Sequence, residues 1–225
     1  MIARLTFLLL ILTLPAAAQV PPSTSEIAAY TGLHAAAAKG DAVEIERLVK
    51  AGAAVDARDG HKRTPLHVAI YRHHADAARA LVRLGADPNA LDDQRYDIVT
   101  IAAVADDVPM LKVSLELGCK ATNITSPYDG TALIAAAHLG HDEVVRILIA
   151  AKAPLDHVNN LHWTALIESI VLGNGGKRHI DSLEALVKAG ANLNLADGNG
   201  ATPLTLAKGR GYKEMVTILE KAGAR

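Results

Sequence analysis

Ten histidines and a single cysteine are the residues of this 225-residue chain that could hold a metal ion. Zinc sites need such ligands at short, regular spacing. The sequence has no Cys-x-x-Cys pair and no His-x-x-x-His pair with a supporting carboxylate, and Cys119 has no second cysteine to pair with. We therefore expect no metal site and no other cofactor. Cys119 is interpreted as a small buried hydrophobic residue.

The segment Gly173-Asn-Gly-Gly-Lys177 superficially resembles a phosphate-binding loop. A Walker loop places four residues between its glycines and continues Gly-Lys-Ser/Thr into a helix after a strand. Here Arg178 follows the lysine, and a predicted helix precedes the loop. We interpret Gly173–His179 as a flexible insertion with local basic charge. No Gly-x-Ser-x-Gly motif, paired-acid cleft or Cys/His pairing supports catalysis, so we predict that the protein is not an enzyme.

A repeat of about 33 residues organises these side chains. Its opening tetrapeptides start at residues 31, 64, 97, 131, 164 and 202, and Thr64-Pro-Leu-His67 is the most complete of them. A glycine is predicted to end the second helix of each unit, at Gly52, Gly85, Gly118, Gly190 and Gly223, while Lys152 takes that place in the fourth unit. A fixed period of this length indicates stacked supersecondary units with an extended surface for binding.

The second unit shows how each repeat is expected to fold. Thr64 is a typical helix N-cap, and Pro65 suits the first turn, where its missing N–H costs nothing. A second helix is predicted from Ala75 to Leu84. Gly85 ends it, because glycine adopts the left-handed conformation without a side-chain clash. The unit is therefore a helix–turn–helix, followed by an extended connection to the next threonine.

Thr64-Pro-Leu-His67 followed by Leu84-Gly-Ala-Asp87 resembles the ankyrin-repeat family, and the resemblance covers about 195 of the 225 residues. It implies an all-α solenoid of about six stacked ankyrin repeats, each a helix–turn–helix with a short β-hairpin finger. By the same resemblance, His34 and His67 hydrogen-bond within and between repeats. The concave face, lined by the first helices and the fingers, is then the side that binds other proteins.

The repeat openers also give the expected boundaries. Residues 1–18 form a cleaved signal peptide, residues 19–30 a lead-in with a partial capping helix from Ser25, and residues 31–225 the repeat domain. The repeats are expected at 31–63, 64–96, 97–130, 131–163, 164–201 and 202–225. In the third repeat, Asp97 replaces threonine as the expected helix cap.

The first eighteen residues have the pattern of a secretory signal. Arg4 gives a basic start, Leu5–Leu14 is an apolar run of ten residues, and small residues precede Ala18. A run of ten is too short to span a bilayer, which takes about 20 residues. We predict cleavage after Ala18 and a periplasmic location, or secretion from a cell that is not Gram-negative. The alternative is an uncleaved N-terminal anchor.

The charge balance bears on the class of partner. The chain has a formal net charge of −1, and loss of Arg4 with the signal leaves 22 − 24 = −2. Such a balance gives no electrostatic basis for nucleic acid or an anionic membrane as the main partner. We expect another protein as partner, with no membrane insertion after signal cleavage and no required small molecule.

Aromatic and apolar side chains on the concave face form the predicted partner-binding site. Trp, Tyr and Arg dominate interface energetics, and an extended exposed apolar stripe is unusual on a monomer. The candidate residues are Tyr71, Arg72, Tyr96, Tyr128, His138, Leu139, Leu161, Trp163 and Leu172, flanked by Arg63, Asp93, Arg95 and His162. The alternative is that the finger aromatics pack on neighbouring fingers and stiffen the row.

The sequence thus predicts a non-catalytic protein–protein interaction module in the periplasm. More narrowly, it resembles exported bacterial ankyrin proteins of four to six repeats, some of which assist periplasmic enzymes such as catalases. One alternative is an immunity-type inhibitor of a toxin or enzyme, for which Asp92 and Asp93 would be acidic finger tips. A second is a metal-dependent or enzymatic protein, and a third is a structural protein that self-associates.

Overall fold

The computed structural model describes residues 19–225, and the predicted signal peptide lies outside the described residues. The described part of the chain forms thirteen α-helices. They are α1 (Thr24–Ala29), α2 (Gly32–Lys39), α3 (Ala42–Lys50), α4 (Pro65–Tyr71), α5 (Ala75–Arg83), α6 (Ile98–Val104), α7 (Val108–Glu116), α8 (Ala132–Leu139), α9 (Asp142–Ala150), α10 (Ala165–Val171), α11 (Lys177–Lys188), α12 (Pro203–Gly209) and α13 (Lys213–Lys221).

The helices after α1 alternate between two stacked layers. The inner helices α2, α4, α6, α8, α10 and α12 pack against one another in chain order. The outer helices pack on their own inner partners, and α3 on α5, α9 on α11 and α11 on α13. Small and branched apolar side chains fill the space between layers, and residues such as Ala37, Leu66 and Leu133 are almost fully buried. The chain is therefore an all-α repeat solenoid.

The repeated threonine begins each inner helix from α4 onward, with one exception. Its hydroxyl accepts the N–H three residues later at Thr64, Thr131, Thr164 and Thr202. The exception is the third repeat, where the Asp97 carboxylate accepts the Thr100 N–H at 2.8 Å, as the sequence predicts. Each such cap stabilises its helix by about 1 kcal/mol. The inner helices therefore start in register, which sets the positions of the fingers before them.

The fingers differ from the expected β-hairpins. Residues 19–225 contain no strand, only one isolated antiparallel bridge between Thr125 and Gly130. Each finger is instead a tight turn held by a side chain five residues before the next opener. Asp92 accepts the N–H groups of Gln94 at 2.9 Å and Tyr96 at 2.8 Å. The same pattern recurs at Asp59, Ser126, Asn159 and Asp197. Local side-chain bonds replace a β-ladder in so short a turn.

Histidines at the N-terminal ends of outer helices connect successive repeats. His74 donates to the Ala38 carbonyl at 3.1 Å, and His141 donates to the Ala103 carbonyl at 2.9 Å. His179 donates to the carbonyl of His138 at 2.9 Å. The same kind of bond at three places shows that these imidazoles have a structural role in the stack.

The insertion in the fifth repeat forms a shorter loop than the expected Gly173–His179, because α11 already begins at Lys177. Lys177 pairs with Asp181 within this helix. Arg178 pairs with Asp106 at 2.8 Å and Asp142 at 3.2 Å, which reach it from the third and fourth repeats. The basic charge predicted for a flexible loop is therefore engaged in ion pairs on a helix. Within residues 19–225, no helix is both long and apolar enough to cross a bilayer.

Candidate protein-binding surface

The fingers lie in a row that backbone hydrogen bonds connect. The Asp93 N–H donates to the His61 carbonyl at 2.9 Å, and the Asn160 N–H donates to the Tyr128 carbonyl at 2.9 Å. Between these links, the Ser126 N–H donates to the Arg95 carbonyl at 3.1 Å. Each bond joins one finger to the next. The finger backbones in this row are therefore held in fixed relative positions, as a preformed binding surface requires.

Six of the predicted site residues remain accessible in the third to fifth repeats. Leu139 and Leu172 lie at the exposed ends of their inner helices with 40% and 39% exposure, and Leu161 on a finger is 41% exposed. Tyr128, His138 and Trp163 are partly buried. We call these six residues the open patch. Their combination of exposed aliphatic and half-buried aromatic side chains is typical of a protein interface.

Asn159 holds the aromatic anchor of the open patch in place. Its side-chain oxygen accepts the Leu161 and Trp163 N–H groups, each at 3.0 Å. Its amide nitrogen donates to the Glu168 carboxylate at 2.8 Å. Asn159 itself is 4% exposed, so its bonds hold the finger backbone at Trp163 to the buried part of the molecule. A finger backbone that is already ordered loses little conformational entropy on binding, which favours Trp163 as an anchor.

A buried carboxylate next to the open patch was missed by the sequence reasoning. Glu168 on α10 is 4% exposed and lies 3.4 Å from the His138 imidazole. The corresponding inner-helix residues are apolar, at Val68, Ile101 and Leu206. A carboxylate at a position that is apolar in these other repeats was the sequence signal that could have identified Glu168. The pair of Glu168 with His138 gives the patch one polar group whose position is set by the core.

Tyr96 does not belong to the accessible surface, which corrects the expectation for this residue. It is only 6% exposed. Its N–H bonds the Asp92 carboxylate at 2.8 Å, and its carbonyl accepts from His67 Nε2 at 3.2 Å. Both bonds hold the Tyr96 backbone at the base of its finger, and the side chain packs in the core. Burial raises the pKa of Tyr96. This burial is compatible with the alternative that finger aromatics stiffen the row.

His67 has the structural role that the resemblance implies. Its Nδ1 accepts the Thr64 N–H at 3.1 Å while Nε2 donates to the next finger. Burial lowers its pKa to about 4, so the ring stays neutral. His34 donates to the Arg63 carbonyl at 3.0 Å in the same manner. Within residues 19–225, no three His, Cys, Asp or Glu side chains are grouped to hold a metal ion.

Tyr71, another residue of the predicted site, is covered by the chain itself. Gln19 and Pro21 line a pocket of about 290 Å³ together with Tyr71 and residues of α6 and α7. The Tyr71 hydroxyl is buried there, and burial raises its pKa. Arg72 beside it is exposed. The structure thus separates the predicted stripe into the open patch, the exposed Arg72, the buried Tyr96 and Tyr71, which the N-terminal segment covers.

Arg63 fixes that N-terminal segment rather than flanking an open groove. The side chain is 1% exposed and donates to Asp59 at 2.7 Å and to the Val20 carbonyl at 3.3 Å. It also pairs with Glu26 on α1. The Tyr30 hydroxyl donates to the same Asp59 carboxylate at 2.6 Å. Burial of Asp59 opposes ionisation, but the bonds from Tyr30 and Arg63 outweigh it and lower its pKa to about 2.

The two predicted acidic finger tips have different surroundings. Asp92 is 8% exposed and holds the finger turn, and burial raises its pKa. Only Asp93 is accessible, and its carboxylate lies 3.1 Å from the His61 imidazole. The acidic surface expected for an inhibitor is therefore reduced to one paired carboxylate. The only cysteine, Cys119, is buried as predicted, and burial raises the pKa of its thiol.

Comparison with known proteins places these features in a family. A family model described as "Ankyrin repeats (3 copies)" matches residues 7–92 and 99–197. The putative ankyrin repeat protein YahD of Escherichia coli K12 is 31% identical over 195 residues, covering 84% of this chain and 94% of YahD. The mouse B-cell lymphoma 3 protein homolog is 29% identical over 209 residues, covering 86% of this chain and only 44% of the mouse protein.

Solved structures have the same architecture. An ankyrin repeat domain from Acinetobacter baumannii AYE has a TM-score of 0.80 and 44% identity, covering 86% of this chain and 98% of that domain. The ankyrin repeat domain of Bcl-3, described as a unique member of the IkappaB protein family, has a TM-score of 0.77 and 29% identity. That match covers 87% of each chain.

Proposed function

The chain belongs to the ankyrin-repeat family, and we propose that it is a non-catalytic interaction module that docks a partner protein on its concave face. Ankyrin-repeat domains mediate protein–protein interaction, and the matched family is not a catalytic one. The open patch carries the proposal. It presents exposed Leu161 on the finger that carries Trp163, and exposed Leu139 and Leu172 at the C-terminal ends of α8 and α10, on a surface that is formed before any partner arrives.

The location of this interaction is part of the proposal. The basic start, the short apolar run and the small residues before Ala18 support export to the periplasm, with Gln19 as the first residue of the mature protein. N-terminal sequencing of the protein released by osmotic shock tests this. A mature chain that starts at Gln19 is expected. A protein that stays with the cytosolic fraction and keeps Met1 would contradict export.

A capture experiment tests the docking surface. The bait is the mature protein, compared with the double variant Tyr128→Ala/Trp163→Ala and with the control Val43→Ala, which changes an 80% exposed residue on outer helix α3. All three must give the same circular dichroism spectrum. We expect one protein of the cell-envelope extract to bind wild type and the control, and to be lost from the double variant. Equal retention on all three baits would exclude the open patch.

The purpose of docking is resolved by the captured partner. We propose that the module assists an exported enzyme, and the alternative is an immunity-type inhibitor. Burial of Asp92 removes one of the two acidic side chains on which the inhibitor alternative was based. If the captured protein is an enzyme, its activity at saturating module is expected to be maintained or raised. Abolished activity would favour the inhibitor, and a concentration-dependent dimer without another partner would favour self-association.

A further inference from the structure

A segment of the chain itself occupies part of the concave face. Gln19 and Pro21 line the pocket that Tyr71 forms with residues of the second and third repeats, which are Ile70, His73, Ile101, Ala102, Val104, Ala105, Asp107 and Met110. The Val20 carbonyl accepts a hydrogen bond from Arg63. We call residues 19–22 the N-terminal strap and this cavity the Tyr71 pocket. The strap shows that the pocket accepts a short, proline-containing segment, of which Gln19 and Pro21 line the cavity.

The strap fills the Tyr71 pocket incompletely. Its Val20 side chain is 46% exposed, and about 290 Å³ of space remains in the pocket. The Gln19 side-chain nitrogen and the Tyr71 hydroxyl are both buried, and neither has a hydrogen-bond partner within the described residues. Buried polar atoms without partners are unfavourable. A ligand that satisfied the Tyr71 hydroxyl would therefore bind better than the strap does.

From these observations we propose that the Tyr71 pocket is a docking site for an extended, proline-containing segment of a partner protein, which displaces the N-terminal strap. This inference rests on the proposed function and names the chemistry of the partner. Prolines favour an extended conformation that loses little entropy on binding, and aromatic-lined grooves accept such segments. Arg63 is positioned to donate to a carbonyl of the incoming segment, as it does to that of Val20.

The position of the pocket connects it to the open patch. The pocket is lined by α6, which packs directly against α8, the helix that carries His138 and Leu139. A partner that inserts a proline-containing segment beside Tyr71 can therefore also cover the open patch. Displacement of the strap by such a segment would join Tyr71 and the open patch into one interface.

A peptide with the sequence of the strap tests the proposal directly. The probe is a fluorescently labelled Gln-Val-Pro-Pro-Ser-Thr peptide, and its binding to full-length mature protein is followed by anisotropy. The strap is loosened by Val20→Ser with Pro21→Gly, since both residues are exposed and the bonds of Arg63 to Asp59 and Glu26 remain. An intramolecular segment competes at an effective concentration in the millimolar range. We expect the loosened variant to bind the probe about tenfold more tightly than wild type.

Two controls make the result specific. Adding Tyr71→Ala to the loosened variant is expected to abolish the gain, and a probe with Ser-Gly in place of Val-Pro is expected not to bind. Equal binding to wild type and the loosened variant, or no binding to either, would overturn the proposal. A gain that survives Tyr71→Ala would also overturn it, because the site would lie elsewhere. If the proposal fails while capture through the open patch succeeds, the proposed function is unaffected.

Discussion

Replacing Arg63 by methionine removes the buried charge that holds the N-terminal helix against the first finger. The guanidinium is 1% exposed and donates to Asp59 at 2.7 Å, to Glu26 and to the Val20 carbonyl. Loss of one partner of a buried ion pair costs about 3–5 kcal/mol. Asp59, 8% exposed, keeps the bond from the Tyr30 hydroxyl at 2.6 Å. We therefore expect the lower end of that range, about 3 kcal/mol.

Urea unfolding followed by circular dichroism measures this loss, and hydrogen exchange locates it. In a stack of repeats each unit contacts mainly its neighbours. In the variant, the amides of α1 to α3 are therefore expected to exchange faster than in wild type, while those of later helices change less. Arg47→Met is the matched control, because Arg47 pairs with Glu44 at 2.7 Å but is 65% exposed. The control should leave the urea midpoint nearly unchanged, because an exposed ion pair contributes little to stability. A loss below about 1 kcal/mol for Arg63→Met would refute the reasoning.

Three further predictions concern stability and reactivity. Folding stability should fall from about pH 5 to pH 2. In the folded protein the pKa values of Asp59 and Glu26 are about 2, below the ordinary values of 3.8 and 4.5, so both carboxylates take up protons more readily when the chain unfolds. Urea unfolding followed by circular dichroism at each pH measures this loss. After solvent screening, Asp59 contributes about 1 kcal/mol to this pH-dependent loss of unfolding free energy. Asp59→Asn should remove that part of the pH dependence. Lys152→Gly should raise the unfolding free energy by about 0.5–1 kcal/mol. The reason is that Lys152 has a left-handed φ of 64° at the position where the other repeats have glycine. An unchanged urea midpoint would contradict this. Cys119 should react with a thiol reagent at about pH 8 only after denaturation, and rapid labelling of the native protein would contradict its burial.

The repeat architecture could be predicted because its signals are local. Thr64 and Asp97 start helices through bonds to residues three positions away. Such bonds depend only on the immediate sequence, so the pattern and the structure agree. The Asp, Asn or Ser that holds a finger was equally visible, as at Asp92 and Asn159, five residues before the openers from Thr64 onward. Its role was missed because a β-hairpin was expected there.

Burial of individual finger residues could not be predicted in the same way. Tyr96 and Trp163 both directly precede an opener, yet Tyr96 is buried and Trp163 is partly exposed. One difference is a long-range bond within the second repeat, from His67 to the Tyr96 carbonyl 29 residues away. His67 is replaced by Ile134 in the fourth repeat. The return of residues 19–22 to the concave face was also beyond prediction, because this segment lies outside the periodic part of the chain.

Site-specific photo-crosslinking tests the central claim most directly. A photoreactive amino acid is placed at Leu139 or Leu172 on the open patch, or at Val43 on the outer layer, all of them exposed in the free protein. Irradiation in living cells is expected to give the same adduct with one envelope protein from Leu139 and Leu172, and none from Val43. An adduct from Val43 alone, or no adduct from either leucine with a partner that still co-purifies, would contradict docking on the concave face.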